Sequence, residues 1–283
     1  MKKLNINMIK GPFQHDICSS ALNENKYVTW KKDNTADVSC HIDYGILDPV
    51  DKSKLNYGWI CESSAIVPRV IKEVITNKSK YKKMYKYIFT CDDRIIKTDP
   101  EFFKFTMPNA LPWIRKKKIY DKSKLVSFVG SNKRMCKGHI FRHEMIEKYK
   151  DSVDHYGRGF EGKELPWLIN LESGQEESGK IIALKEYMFS IAMENTNHNY
   201  AFCEKTTDCF ATGTIPVYWG GKKIVEFFDK DGIIFLEDLK SIDELTEDLY
   251  YSKIDSVKKN YELLNNLLSA EDYFTFNHMG ELL

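Results

Sequence analysis

Apolar and polar positions along this chain repeat in two different periods. Short β-branched and aromatic runs predict strands near Leu4 to Ile9, Val38 to Asp43, Tyr57 to Cys61 and Tyr87 to Thr90. Between the last two, Ile66, Val67, Val70, Ile71, Val74 and Ile75 recur at three-four spacing, the single apolar stripe of a helix lying on a sheet. A fresh strand is predicted at Leu125 to Val129, then a helix with the stripe Phe141, Met145, Tyr149, then a short strand from Val153 to Tyr156.

Leu165 to Gly179, rich in Glu, Gly and Ser, reads as a loop. A helix around Ile181, Leu184 and Met188 is expected to lead into a strand from Phe189 to Met193. A helix from about Glu204 to Ala211 follows, with Gly213 as its C-cap and a strand from Thr214 to Trp219 behind it. Ile233 to Phe235 is another short strand, and residues 241–268 read as helical. Alternating strands and helices are the mark of parallel sheets with crossover helices. The expected fold class is therefore α/β, two Rossmann-like domains facing across a cleft. The expected domains are residues 1–118 and 119–283, with the last helices packing back on the first. The basic run Arg115 to Lys118 reads as a solvated linker.

Composition narrows the function classes. Hydrophobic residues make up 42% and charged residues 29% of 283, the balance of a globular chain. A net charge of +1 argues against a dedicated nucleic-acid binder, which needs a basic excess to displace counterions. The seven cysteines contain no Cys-x-x-Cys pair and are odd in number, so they read as small buried hydrophobes of a reducing compartment. With no apolar run long enough to span a bilayer and no signal-peptide pattern, the expected location is cytoplasmic.

In parallel sheets, ligands sit beyond the carboxyl ends of strands, where helix N-termini supply amide donors. Glu204-Lys205 lies in such a place. An ammonium there can neutralise a phosphate, and a carboxylate beside it can accept two hydroxyl hydrogen bonds, as a ribose requires. The bland alternative is a surface pair of adjacent charges. The neighbouring residues tip the balance: Phe189-Ser-Ile-Ala-Met-Glu194-Asn195-Thr196, then Asn199-Tyr200-Ala201-Phe202-Cys203-Glu204-Lys205, then Ala211-Thr-Gly213-Thr-Ile-Pro216-Val217. In this order and spacing the chain resembles the α1,3/4-fucosyltransferase family, inverting enzymes that use GDP-fucose. A second stretch, Lys122 to Ile146, resembles the family strand that ends in Ser-Asn and is followed by an arginine at a helix start.

The resemblance implies the GT-B architecture, a nucleotide-sugar donor, a glycan acceptor and no required metal or other cofactor. It implies donor contacts from Asn132, Arg142, Asn195, Tyr200, Glu204 and Lys205, with Arg134 a rival to Arg142. In Tyr57 to Arg69 it implies Glu62 as general base. A carboxylate at a strand end after Trp59 and Ile60 suits that task, because an apolar wall raises basicity. The competing reading has Glu62 capping the following helix, with Ser63 and Ser64 as rivals. Two departures leave alternatives open. Where the family carries Tyr this chain has Ala201, with Tyr200 one place earlier, and Cys203 stands where Thr is usual. Another nucleotide-sugar donor, or a silent glycan-binding module, are the alternatives. Asp92-Asp93 reads as a helix N-cap rather than a metal motif, and His139 and His143 lack a third ligand. His15, His41 and His198 are candidate acceptor contacts, and Gly157 with Gly159 is too little for a dinucleotide loop.

Overall fold

The computed structural model describes residues 3–11, 17–20, 23–158, 163–165 and 177–283. His15, Gly159 and most of the expected loop from Leu165 to Gly179 lie outside the described residues. The chain forms two compact units, the first made of Met1–Ala110, His198–Ala201 and Leu268–Leu283, the second of Leu111–Asn197 and Phe202–Leu267.

The strands of the first unit are β1 (Leu4–Ile9), β2 (Val28–Lys31), β3 (Val38–Ile42), β4 (Leu55–Ile60), β5 (Ile88–Thr90) and β6 (Phe103–Phe105). Among the described residues they build a six-stranded sheet in the order β2-β1-β3-β4-β5-β6, parallel at every pairing. Successive side chains of a strand point to opposite faces. Tyr57, Trp59 and Phe89 thus share one core with Ala270 and Phe274 of the helix Ala270–His278. Ile60 and Ile88 share the other with Val70 and Val74 of the helix Pro68–Thr76. A sheet covered on both faces explains why the polar residues at alternate positions of its central strands, Ser39, His41 and Asn56, are buried as well.

The second unit contains β7 (Lys124–Ser131), β8 (Asp154–Arg158), β9 (Tyr187–Met193), β10 (Ile215–Trp219) and β11 (Ile234–Phe235). Their order is β11-β10-β9-β7-β8, again parallel throughout. Every residue of the central β9 is buried. Gly213 ends the helix Glu204–Thr212 in the left-handed region at φ 71°, as its position after the apolar run predicts.

Several elements differ from expectation. Met188 belongs to β9, not to the preceding helix, which is only Lys180–Leu184. An apolar residue inside a fully buried strand fits either period, so spacing could not place it. The strand after Val38 stops at Ile42, because Asp43 turns into the left-handed region at φ 47°. Residues 241–268 are not one helix: Thr246 caps Glu247–Ser252, and Ile254–Asn265 starts anew. β2 and β6 are short and carry too few apolar positions to show a period. No helix among the described residues is long and apolar enough to cross a membrane.

Candidate functional site

In the second unit four of the six expected donor residues, Arg142, Asn195, Glu204 and Lys205, lie around the carboxyl end of β9. Glu194 and Asn195 leave that strand, the helix Lys137–Lys148 brings Arg142, and the helix Glu204–Thr212 opens with Glu204 and Lys205. Gly138, in the first turn of its helix, is what lets the two elements meet. A Cβ there would stand 2.4 Å from the Asn195 carbonyl oxygen, so only glycine fits.

Arg142 is 4% exposed, which for an arginine demands partners. Its guanidinium donates to the Met193 carbonyl at 3.0 Å and to Asn195 Oδ1 at 3.4 Å, tying the end of β9 to the helix. Burial lowers its affinity for the proton, and the nearby Glu194 opposes that. Arg134, by contrast, is exposed and meets His143 Nδ1 at 3.4 Å on the outer side of the helix. His139 is buried under Met135, whose amide donates to its Nδ1 at 3.2 Å. Burial, with Arg142 beside it, pushes the His139 imidazole down to about 4, so it is neutral near neutrality.

Glu194 anchors the start of the other helix. Its carboxylate accepts from the Cys203 amide at 2.9 Å and from the Cys203 thiol at 2.8 Å. Lys205 Nζ lies 3.6 Å from Glu194, 3.5 Å from Glu204 and 3.0 Å from Cys203 Sγ. The Cys203 thiol therefore does the hydrogen-bonding work of a hydroxyl, and burial, with Glu194 next to it, keeps it protonated. Burial resists a charge on Lys205, but the Glu204 and Glu194 carboxylates around it hold the ammonium charged.

Beneath this pair lies a buried lysine that sequence reasoning missed. Lys180 Nζ, on a side chain 4% exposed, sits 2.8 Å from Asp208 and 3.2 Å from Glu204, and 4.5 Å from the centre of the Trp113 ring. Asp208 in turn accepts from the amides of Trp113 and Ile114 at 2.6 and 3.0 Å. Glu204 and Asp208 are one helical turn apart and so share a face. Burial alone would raise the Glu204 pKa, yet Lys180 and Lys205 hold its carboxyl far below the usual carboxylate range. The signal available in the sequence was Asp208 itself, an acid among the small and apolar residues that follow Lys205 in the helix. Nothing pointed to Lys180, which is 28 residues away.

The arrangement offers a ring of fixed charge: Lys205, Arg142 and Lys180 against Glu194, Glu204 and Asp208. Lys205 is the most open of the three cations, its side chain 28% exposed. The amides of the first turn of the helix Glu204–Thr212 add the positive end of a helix dipole. An anion reaching Lys205 meets both. The exposed Asn132, at the end of β7, donates its amide to the Arg158 carbonyl across the strand pair at 3.1 Å.

Tyr200 and Glu62 fall in the first unit. Tyr200 packs its ring 5.0 Å from that of Phe105. Glu62 follows β4 and its amide donates to Asp43 Oδ1 at 3.1 Å. It does not cap the next helix, whose N-cap is Val67. Asp92 is an N-cap, accepting from the Arg94 amide at 3.0 Å. His41 is buried between the Gly45 carbonyl and Asn56, and His198 is buried near Asp92.

The family model of glycosyltransferase family 10 (fucosyltransferase), C-terminal part, matches residues 119–266, just over half of the chain. Among curated relatives is the alpha-(1,3)-fucosyltransferase FucT of Helicobacter pylori, 31% identical over 100 residues. That match takes in 33% of this chain, and the chain spans only 20% of the relative's length. A crystal structure of an alpha1,3-fucosyltransferase with GDP superposes with TM-score 0.55 at 15% identity, covering 99% of this chain and 90% of that one. Another, with GDP-fucose, superposes with TM-score 0.55 at 14% identity over the same shares. At such identity the likeness establishes the fold, the GT-B class of α/β protein.

Proposed function

This chain belongs to glycosyltransferase family 10, and from that membership we propose that it moves fucose from GDP-fucose to a hydroxyl of a glycan acceptor. The observation that carries the reading is the Glu204-Lys205 pair at a helix start, held by Glu194 and Lys180 inside the region that the family model matches. In this reading Lys205 meets the diphosphate, Glu204 accepts from the ribose hydroxyls, and Arg142 braces Asn195 against the donor. Asn132 and Tyr200 complete the donor contacts. Preorganised cations and helix amides stabilise the charge that grows on the departing diphosphate, so no resident metal is part of the scheme.

Glu62 takes the proton of the acceptor hydroxyl as its oxygen bonds to the anomeric carbon of fucose. The bond from that carbon to the phosphate oxygen breaks on the opposite face and GDP leaves. One displacement inverts the β-linked donor to an α-linked product. The departure at Ala201 keeps another nucleotide sugar as the alternative donor.

The deciding experiment is product mass after incubation with several nucleotide sugars and oligosaccharide acceptors. An increment of one deoxyhexose, from GDP-fucose alone, is the expected result, and a hexose increment or none removes the assignment. In parallel, Glu62→Gln is expected to bind GDP as the parent does by calorimetry while its transfer rate falls about 1,000-fold or more.

A further inference from the structure

Asp43 carries two local costs that the fold does not need. It stands between β3 and a short helical turn at φ 47°, a region side chains other than glycine seldom take, although aspartate tolerates it better than most. Its carboxylate is also buried, with the residue 5% exposed. One oxygen, Oδ1, accepts from the amides of Cys61 at 2.9 Å and Glu62 at 3.1 Å. The other, Oδ2, is buried without a hydrogen-bond partner among the described residues. An unmet carboxylate oxygen is expensive, and an asparagine would satisfy the same two amides with no buried charge.

Glu62 is the residue that this cost acts on. Both amides that Asp43 holds belong to the dipeptide leaving β4, so Asp43 sets the direction in which the Glu62 backbone exits the sheet. We infer that Asp43 is the positioning residue of Glu62, fixing its backbone by two amide bonds and strengthening it as a base through a second negative charge. This rests on the proposed role of Glu62 as the group that deprotonates the acceptor.

The electrostatics agree. Burial, with Glu62 as a like charge beside it, pushes the Asp43 carboxyl up to about 7, against the two amide bonds that favour its ionised form. The other titratable groups facing it are the thiols of Cys40 and Cys61, which burial keeps protonated. Asp43 and Glu62 are thus two carboxyl groups at the ends of neighbouring strands, and the charge of Glu62 disfavours the ionisation of Asp43. An acid whose folded pKa lies above its unfolded value costs stability as pH rises between the two. The cost is complete above about 7.

Asp43→Asn separates this from a purely structural clamp. The variant keeps the amide bonds and removes the charge. At pH 8 its Tm is expected to rise by about 3–5 °C over the parent, a gain that shrinks toward pH 5. Its kcat with GDP-fucose and acceptor is expected to fall about 10-fold with KM for GDP-fucose unchanged, and the acid limb of kcat/KM to move to lower pH. Parent-like kcat and an unmoved acid limb would overturn the inference, whatever the Tm. Should the variant not fold, the parent and Glu62→Gln decide the matter by carbon-13 titration of aspartate carboxyls. One aspartate titrating near 7 in the parent and lower in Glu62→Gln supports the coupling, and its absence refutes it. If Glu62→Gln itself transfers fucose at the parent rate, the role of Glu62 fails. If Glu62→Gln is inactive and Asp43→Asn is parent-like, only the inference about Asp43 fails.

Discussion

Arg142 shows how much a single side chain is asked to do. Its guanidinium is out of water, and its donors go to a backbone carbonyl and to the Asn195 amide oxygen. A lysine cannot present that fork and carries a more strongly hydrated charge. Arg142→Lys is therefore expected to lower kcat/KM about 100-fold and to weaken GDP binding in calorimetry, with the fold retained in circular dichroism. Glu204 makes a complementary case. Burial opposes its charge, but Lys180 and Lys205 hold the carboxyl far below its ordinary 4.5, so its contribution to stability is present above that value. It is lost as pH falls through the depressed folded value. The Tm deficit of Glu204→Gln relative to the parent should be large at pH 7 and should narrow as pH drops below about 4.5 in thermal melts. A deficit constant across that range would show that Lys180 and Lys205 do not hold the carboxylate.

Elements meet at this site through close backbone approach. The first turn of the helix Lys137–Lys148 rests on the Glu194-Asn195 peptide, and Gly138 makes that possible, because its missing side chain is where the Asn195 carbonyl sits. Gly138→Ala should push the helix off the strand end, cost about 1–3 kcal/mol in denaturant unfolding, and loosen GDP binding through the displaced Arg142. The helix Glu204–Thr212 is held differently. Its N-cap side chain, Cys203, makes no capping bond to the helix and instead points its thiol at Glu194. Both elements were legible, since Gly213 and the apolar run after it announced the second, and the stripe of Phe141 and Met145 the first. The stripe misjudged the burial, however. Phe141 and Met145 are half-buried, while Gly138, His139 and Arg142 are the residues driven inside. A polar face that serves a site is indistinguishable, by spacing, from one that serves solvent.

For the whole molecule, the last segment is the informative one. Leu268–Leu283 lies with the first unit, where Phe274 stacks 4.6 Å from Phe89 and lies 5.5 Å from Trp59. Glu271 accepts from Ser19 and Trp30, and Asp272 from the amides of Lys26 and Tyr27. Ending the chain after Leu267 would open that core and leave those donors unpaired. Scanning calorimetry of the shortened chain should lose the transition of the first unit, while the second still melts cooperatively and is stabilised by GDP. Two intact transitions would mean that the segment is dispensable to the first core.

The alternation of strands and helices, the two parallel sheets and the grouping of Asn195, Glu204 and Lys205 behind one strand were readable from the chain alone. Periodicity and spacing are local quantities, and a parallel sheet turns them into strand ends on one side. Lys180 under Glu204, Gly138 under Asn195 and Asp43 behind Glu62 were decided by tertiary structure alone. Each joins residues 19 to 57 positions apart, and what makes them matter is burial: a charge or a carbonyl takes its meaning from what else is kept from water beside it.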